Sequence, residues 1–275
     1  MPPKPLGLLI ARRAAVLGRP VAHSLSPVLH CAAYRALGLA WTFTAVEIGA
    51  DELAEFLASR GPEWVGFACT MPLKREALSV ASAASPRATV VGAANTLLRR
   101  PDGGWTADNT DVAGIVTALH ECGVQPATAS VLGAGGTAQA AVVALAELGL
   151  ARCTVQVRDP TRTEGVRAAA QRASIDVEVG ALGDPVGDLV ISTLPPGAAD
   201  PLAAREWRAE CAVLDVVYAP WPTPLAAAVA AAGGTVVGGT LMLLHQAALQ
   251  VQLMTGRPAP VAAMRAALQE KLPGA

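Results

Sequence analysis

Charge and aromatic surface are both scarce in this 275-residue chain: 16% of its residues are charged and 4% aromatic, where about 25% charged is ordinary for a globular protein. Lysine and arginine total 21 against 22 acidic residues, a net charge of −1, and no basic run exceeds two residues. That balance argues against a surface that tracks nucleic-acid phosphates, and so few aromatics supply little for stacking single-stranded bases. The cysteines Cys31, Cys69, Cys122, Cys153 and Cys211 include no C-x-x-C pair. Neither a metal site nor a disulfide framework is expected from them, and a reducing, cytoplasmic compartment fits. The opening MPPKPLGLLIARR lacks a long apolar core ending in small residues, so no signal peptide is expected. Internal repeats and low-complexity linkers are also missing.

What the chain has instead is apolar residues, 52% of the total, which excludes a disordered chain. Residues 122–146 and 216–256 carry no Asp, Glu, Lys or Arg, long enough in principle for a membrane span of about 20 residues. The first is cut by Pro126 and by Gly133, Gly135 and Gly136; the second holds Pro220, Pro222, Pro224 and paired glycines, then Gln246, Gln250 and Gln252. Such punctuation reads as buried strands joined to Ala-rich helices in a soluble α/β protein, with no membrane partner.

Short apolar runs, turns and helical patterns alternate along the chain, the α/β signature. Strands are expected at 15–18, 41–47, 64–69, 93–99, 130–132, 154–157, 176–179, 189–192, 212–217 and 235–237. Ser26-Pro27 opens a helix, with Ser26 read as its N-cap and Gly38 as its stop. Further helices are expected at 51–59, 161–173, 224–232, 241–255 and 260–271. Val112, Ile115, Val116 and Leu119 are spaced for an amphipathic helix starting at Thr110 or Asp111, where the texture of the chain changes. Two α/β units meeting near 105–112 are therefore expected, with a cleft between them if the last helices cross back to the first unit.

Gly133-Ala134-Gly135-Gly136-Thr137-Ala138 follows an expected strand and opens an expected helix. In a dinucleotide-binding turn the first glycine makes the bend, the second lets the backbone approach a pyrophosphate, and a small third residue, here Ala138, lets helix and strand pack. The phosphates rest on the free N–H groups of the helix. After the next strand comes Val157-Arg158-Asp159, where such a unit chooses its cofactor. Arg158 suits the 2′-phosphate of NADP, with Arg162 nearby, whereas Asp159 suits the ribose hydroxyl of NAD.

Other motifs keep two readings on residue type alone. In GRPVAHSLSPVLH, Ser24 has a turn role available, and His23 and His30 read as structural, since no G-x-S-x-G elbow accompanies them. Lys74, ending GFACTMPLK, reads first as a solvated surface group. Asn95 and Thr96 in GAANT are polar residues in an apolar run, and buried amides need partners. Asp111, in DNTDVAG, would complement a helix dipole.

Taken in order, G-x-P-V-x-H-S-x-S-P-x-x-H, T-x-P-x-K, G-A-A-N-T, D-N-T-D-x-x-G, G-A-G-G-x-A, DVVYAPWPTPL and GGTLMLLHQA resemble the shikimate dehydrogenase family, over residues 16 to about 255. The resemblance implies an NADP(H)-dependent interconversion of shikimate and 3-dehydroshikimate, in chorismate and aromatic amino-acid biosynthesis. It implies an N-terminal substrate unit at 1–108, completed by helices from about 240–275, and a Rossmann-type unit at 109–239. By the same resemblance Lys74 and Asp111 are the catalytic pair. Ser24, Ser26, Thr70, Asn95, Tyr218 and Gln246 surround the substrate, and Gly133, Gly135, Gly136, Ala138, Arg158, Gly239 and Met242 hold NADP. A monomer or homodimer is expected.

Two departures from the family stand out. The usual N-V-T-x-P-x-K reads Ala68-Cys69-Thr70-Met71-Pro72-Leu73-Lys74, and the usual N-R-T of the cofactor turn reads Val157-Arg158-Asp159. The second leaves an NAD-linked quinate/shikimate dehydrogenase as the alternative, although that subgroup often resembles Thr, not Ser26, at the second hydroxyl. A non-catalytic metabolite sensor is the remoter alternative, and it would be expected to lack the Lys or the Asp.

Overall fold

The computed structural model describes residues 11–183 and 185–272; the stretch weighed above as a leader lies, up to residue 10, outside the described residues. Among the described residues, twelve strands form two six-stranded sheets. The first contains β1 (Arg13–Gly18), β2 (Thr42–Glu47), β3 (Trp64–Cys69), β4 (Ala83–Ala84), β5 (Thr96–Arg99) and β6 (Trp105–Asp108), in the order β2-β1-β3-β5-β6-β4. Parallel β1, β2 and β3 are joined through α1 (Ser26–Ala36) and α2 (Leu53–Ala58); β5 runs antiparallel to both β3 and β6. Helices α3 (Lys74–Ser79) and α4 (Pro86–Val91) fill the path from β3 to β5. Five of the six β1 residues are buried, as suits a central strand covered on both faces.

From β6 the chain enters α5 (Asp111–Glu121) and a second set of strands. These are β7 (Ala129–Leu132), β8 (Arg152–Val157), β9 (Asp176–Ala181), β10 (Leu189–Ser192), β11 (Ala212–Asp215) and β12 (Thr235–Gly238). Helices α6 (Gly136–Glu147), α7 (Glu164–Ala173) and α8 (Pro224–Ala231) lie between β7 and β8, β8 and β9, and β11 and β12. The order is β12-β11-β10-β7-β8-β9, with every pairing parallel. This is the doubly wound arrangement, with its reversal between β7 and β10, and ligands bind such sheets at that crevice, outside the strands' carboxyl ends.

The chain then returns. Leu244, Ala247 and Val251 of α9 (Gly239–Thr255), with Met264 and Leu268 of α10 (Val261–Lys271), bury against Leu25, Leu29 and Ala33 at α1. Helix α9 also lies on α5, closely enough that a Cβ on Gly114 would stand 2.9 Å from both the Gln246 Cβ and the Met242 carbonyl oxygen. No helix among the described residues is long and apolar enough to cross a membrane.

Several boundaries differ from expectation, most of them for a local polar reason. Ser26 is not the N-cap of α1: Leu25 holds that position without a side-chain bond, and the Ser24 Oγ accepts the Ser26 N–H at 3.3 Å. The strand expected at 93–99 becomes regular only at Thr96, because the Asn95 side chain turns into a polar network. The strand expected at 212–217 stops at Asp215, whose own carboxylate accepts the Val217 N–H at 3.2 Å and the Thr223 hydroxyl at 2.8 Å. The helix expected at 161–173 starts as a 3₁₀ turn, Pro160–Thr163, capped by Asp159. Helix α9 begins at Gly239, two residues before its expected start.

Candidate active site

A cavity of about 260 Å³ lies where the two sheets face each other, and its wall includes Lys74, Asp111, Asn95, Thr137 and Gln246. Lys74 is the first residue of α3, just past Thr70 and Pro72, and Asp111 the first of α5. The Lys74 Nζ donates to Asp111 Oδ2 at 2.6 Å, and the two side chains are only 17% and 6% exposed. The surface reading of Lys74 therefore fails, and the Asp111 carboxylate does more than complement a helix dipole. Its other oxygen accepts the Asn95 amide at 2.8 Å, and its backbone N–H is taken by Asn109 Oδ1 at 3.0 Å. A charged pair this far from solvent is held by geometry on every side, which is what its desolvation demands.

Asn95 is the hub of the wall. Its amide nitrogen reaches Thr110, Asp111 and Gln246 at 2.9, 2.8 and 3.2 Å, and its oxygen accepts from the Thr110 N–H and the Thr96 hydroxyl, both at 2.8 Å. Gln250, one turn beyond Gln246, donates to the Asn95 carbonyl at 3.2 Å and to Thr96 Oγ1 at 2.9 Å. Its oxygen thus faces His30 Nε2 at 3.2 Å, which makes Nε2 the protonated ring nitrogen. His30 is fully buried, stacked on Phe43 at 3.9 Å, and burial lowers its pKa to about 3. It is a neutral strut, as the sequence reading expected.

Ser24, Ser26, Thr70, Tyr218, Gly239 and Met242 line the same cavity, and so does His23, which is exposed. Half-buried Tyr218 has its hydroxyl pKa raised by desolvation. Met242 and Gln246, four residues apart on α9, share the face that lines the cavity together with Lys74. Serine hydroxyls and an ammonium–carboxylate pair in one cavity wall suit a small polar molecule bearing an anionic group and hydroxyls.

The glycine-rich turn follows β7 at the crevice. Gly133 has φ +111°, and a Cβ there would come 2.5 Å from the Thr193 Oγ1 at the end of β10, so only glycine suits the turn. Gly135 caps α6 with no side-chain hydrogen bond, leaving the first-turn N–H groups for another acceptor. Ala138 is fully buried in the core beneath the turn, so it serves the packing of helix and strand there. These residues fit a dinucleotide. Arg158 is exposed just past the end of β8. Asp159 Oδ1 instead accepts the Thr161 N–H and hydroxyl at 3.0 and 2.6 Å, bonds that lower its pKa. A carboxylate so committed is a turn cap first, which weakens its claim on a ribose.

Sequence reasoning overlooked Thr137, whose Oγ1 accepts from the Lys74 Nζ at 3.0 Å, and Asn109, Thr110 and Gln250 of the polar wall. The signal for the last three was polarity inside apolar or helical runs, the same signal that picked out Asn95.

Comparison with known proteins places the chain among relatives of one family. A family model described as the shikimate dehydrogenase substrate binding domain matches residues 16–97, and one described as the Shikimate 5′-dehydrogenase C-terminal domain matches 239–269. The NADP(+) shikimate dehydrogenase of Halobacterium salinarum is 39% identical, covering 94% of this chain and 98% of that protein. The crystal structure of Mycobacterium tuberculosis shikimate dehydrogenase superposes with a TM-score of 0.84 at 48% identity, over 94% of this chain and 99% of that one. The Thermus thermophilus enzyme, solved in complex with NADP(H) and shikimate, gives 0.81 at 34% identity, over 95% and 100%.

Proposed function

This chain belongs to the shikimate dehydrogenase family, and from that premise we propose that it interconverts shikimate and 3-dehydroshikimate with NADP(H), the proton passing through Lys74 and Asp111. The observation that carries the proposal is the 2.6 Å Lys74–Asp111 pair in a cavity wall facing the glycine-rich turn. Residues 1–108 with the helices from about 240 are assigned to the substrate, and 109–239 to the cofactor. Ser24 and Ser26 hold the carboxylate, with Tyr218 beside them. Thr70, Asn95 and Gln246 take the ring hydroxyls and set which carbon faces the cofactor.

When bound, the nicotinamide exchanges the hydride with the substrate carbon. The chain's own task is the proton. In oxidation the reacting hydroxyl must lose it as the hydride leaves; in reduction the carbonyl oxygen must gain it. Lys74 and Asp111 share hydrogen-bonded protons at contact distance and act as one unit, with Asn95 fixing the carboxylate's second oxygen. Five unpaired cysteines suit a cytoplasmic enzyme, and we take it to act as a monomer or homodimer.

Initial rates with shikimate or quinate, each against NADP+ and NAD+, test the proposal. The shikimate–NADP+ pair is expected to be fastest, and no nicotinamide reduction with any pair would sink it. Arg158 is assigned to the 2′-phosphate, with Gly133, Gly135 and Gly136 on the pyrophosphate and Gly239 and Met242 near the nicotinamide. Loss of a charge-assisted contact costs about 1.5–3 kcal/mol, so Arg158→Ala should lower kcat/KM for NADP+ roughly 10- to 100-fold and leave NAD+ nearly unchanged. Equal losses with both cofactors would remove Arg158 from that role. Asp159→Asn, at a carboxylate spent on Thr161, should change neither preference; improved NADP+ use would mean that its charge opposes the phosphate.

A further inference from the structure

The Lys74 ammonium has three protons, and among the described residues two of them find acceptors: one goes to Asp111 Oδ2 at 2.6 Å and one to Thr137 Oγ1 at 3.0 Å. Thr137 belongs to the glycine-rich turn of the other sheet, at the second residue of α6. The residue before it grips the same lysine. A Cβ on Gly136 would stand 3.2 Å from the Lys74 Cδ and 3.3 Å from its Cβ. The turn that cradles a dinucleotide is thus also one wall of the slot that aims the lysine.

We propose that Thr137 is a positioning residue: its hydroxyl, accepting from Lys74, directs the third N–H of the ammonium at the substrate and couples cofactor binding to that alignment. This rests on the shikimate dehydrogenase reading above and extends it. A primary amine on a four-carbon stem rotates freely unless its protons are taken. Asp111 alone fixes one N–H and leaves the other two to swing about that bond. A second acceptor, some 60 residues away in sequence and on a different sheet, removes the rotation. The Thr137 hydroxyl also keeps its own proton for another acceptor, because a hydroxyl accepts and donates at once. Whatever orders the glycine-rich turn therefore orders Lys74, and by linkage whatever holds Lys74 favours the ordered turn.

The experiment compares wild type with Thr137→Val, which keeps the shape and drops the hydroxyl, and Thr137→Ser, which keeps the hydroxyl. Losing a hydrogen bond to a charged group predicts a kcat roughly 10- to 100-fold lower in the valine variant, with little change in KM for shikimate. The serine variant should recover most of that loss. A second readout needs no turnover: shikimate is titrated into each protein with and without saturating NADPH, a dead-end pair. Wild type should bind shikimate about fivefold or more tightly with NADPH present, and Thr137→Val should lose that difference. A wild-type kcat in Thr137→Val, a serine variant as slow as the valine one, or equal coupling in both proteins would overturn the proposal. Wild type that neither turns over nor binds shikimate would instead overturn the family-level reading, and this inference with it.

Discussion

Lys74→Ala is expected to lower turnover by ~10²–10⁴-fold while the protein still folds and still binds shikimate, since that range is what positioned acid–base help supplies. The lysine contributes little area to either core; its stem lies in a slot against Gly136, and its head meets Asp111 and Thr137. Truncation leaves the Asp111 carboxylate with the Asn95 amide on one oxygen, and water entering the vacated slot reaches the other. The fold therefore survives with a Tm lower by a few degrees. Binding survives because the serine, threonine and amide contacts are separate side chains. Steady-state rates, a shikimate titration and a thermal melt check the three parts. A kcat near wild type would take Lys74 out of the chemistry.

Gly239→Ala should do comparable damage by another route. A Cβ there would lie 2.3 Å from the Val216 carbonyl oxygen, 2.5 Å from its carbon and 2.9 Å from the Asp215 oxygen. All three are backbone, so no side chain can rotate away. Either the start of α9 or the loop after β11 must move. The first carries Met242 and Gln246, the second Tyr218, so the cavity is distorted from both sides. Overpacking costs about 1–3 kcal/mol, or several degrees of Tm for a chain of this size. A displacement of about 1 Å at the reacting groups can cost ~10²-fold in rate. Thermal melts and kcat/KM for shikimate measure both, and a variant with wild-type values in each would show that this contact yields easily.

How much of this was legible in the sequence follows from where each signal sits. The β-strands at Trp64–Cys69 and Leu189–Ser192 are short, largely apolar runs bounded by turns, and their limits match the expected ranges. The end of β11 was not legible, because Asp215 stops the strand by accepting its neighbour's N–H, a bond that depends on side-chain direction. Lys74 and Asp111 read as ordinary on residue type and became a site only through the ordered set of motifs; their contact bridges 37 residues, beyond any periodicity. The G-x-G turn was visible with its surroundings, yet the partner of Thr137 was not, since it lies across the cleft on another sheet. Gly114 closes the D-N-T-D-x-x-G motif, but its reason, the close pass of α9 over α5, exists only in three dimensions. Asp159 could be weighed in the sequence only as a charge; in the structure it is a cap.

The most direct test of the account is a double-mutant comparison at the Lys74–Asp111 pair. Lys74→Ala, Asp111→Asn and the double variant are assayed for shikimate oxidation by NADP+ in single turnovers, which isolate the chemical step. If the pair moves the proton as one unit, each single variant loses most of the rate and the double variant is little slower than the worse single one. Losses that multiply, so that the free-energy costs simply add, would show two groups acting independently and contradict the shared-proton account.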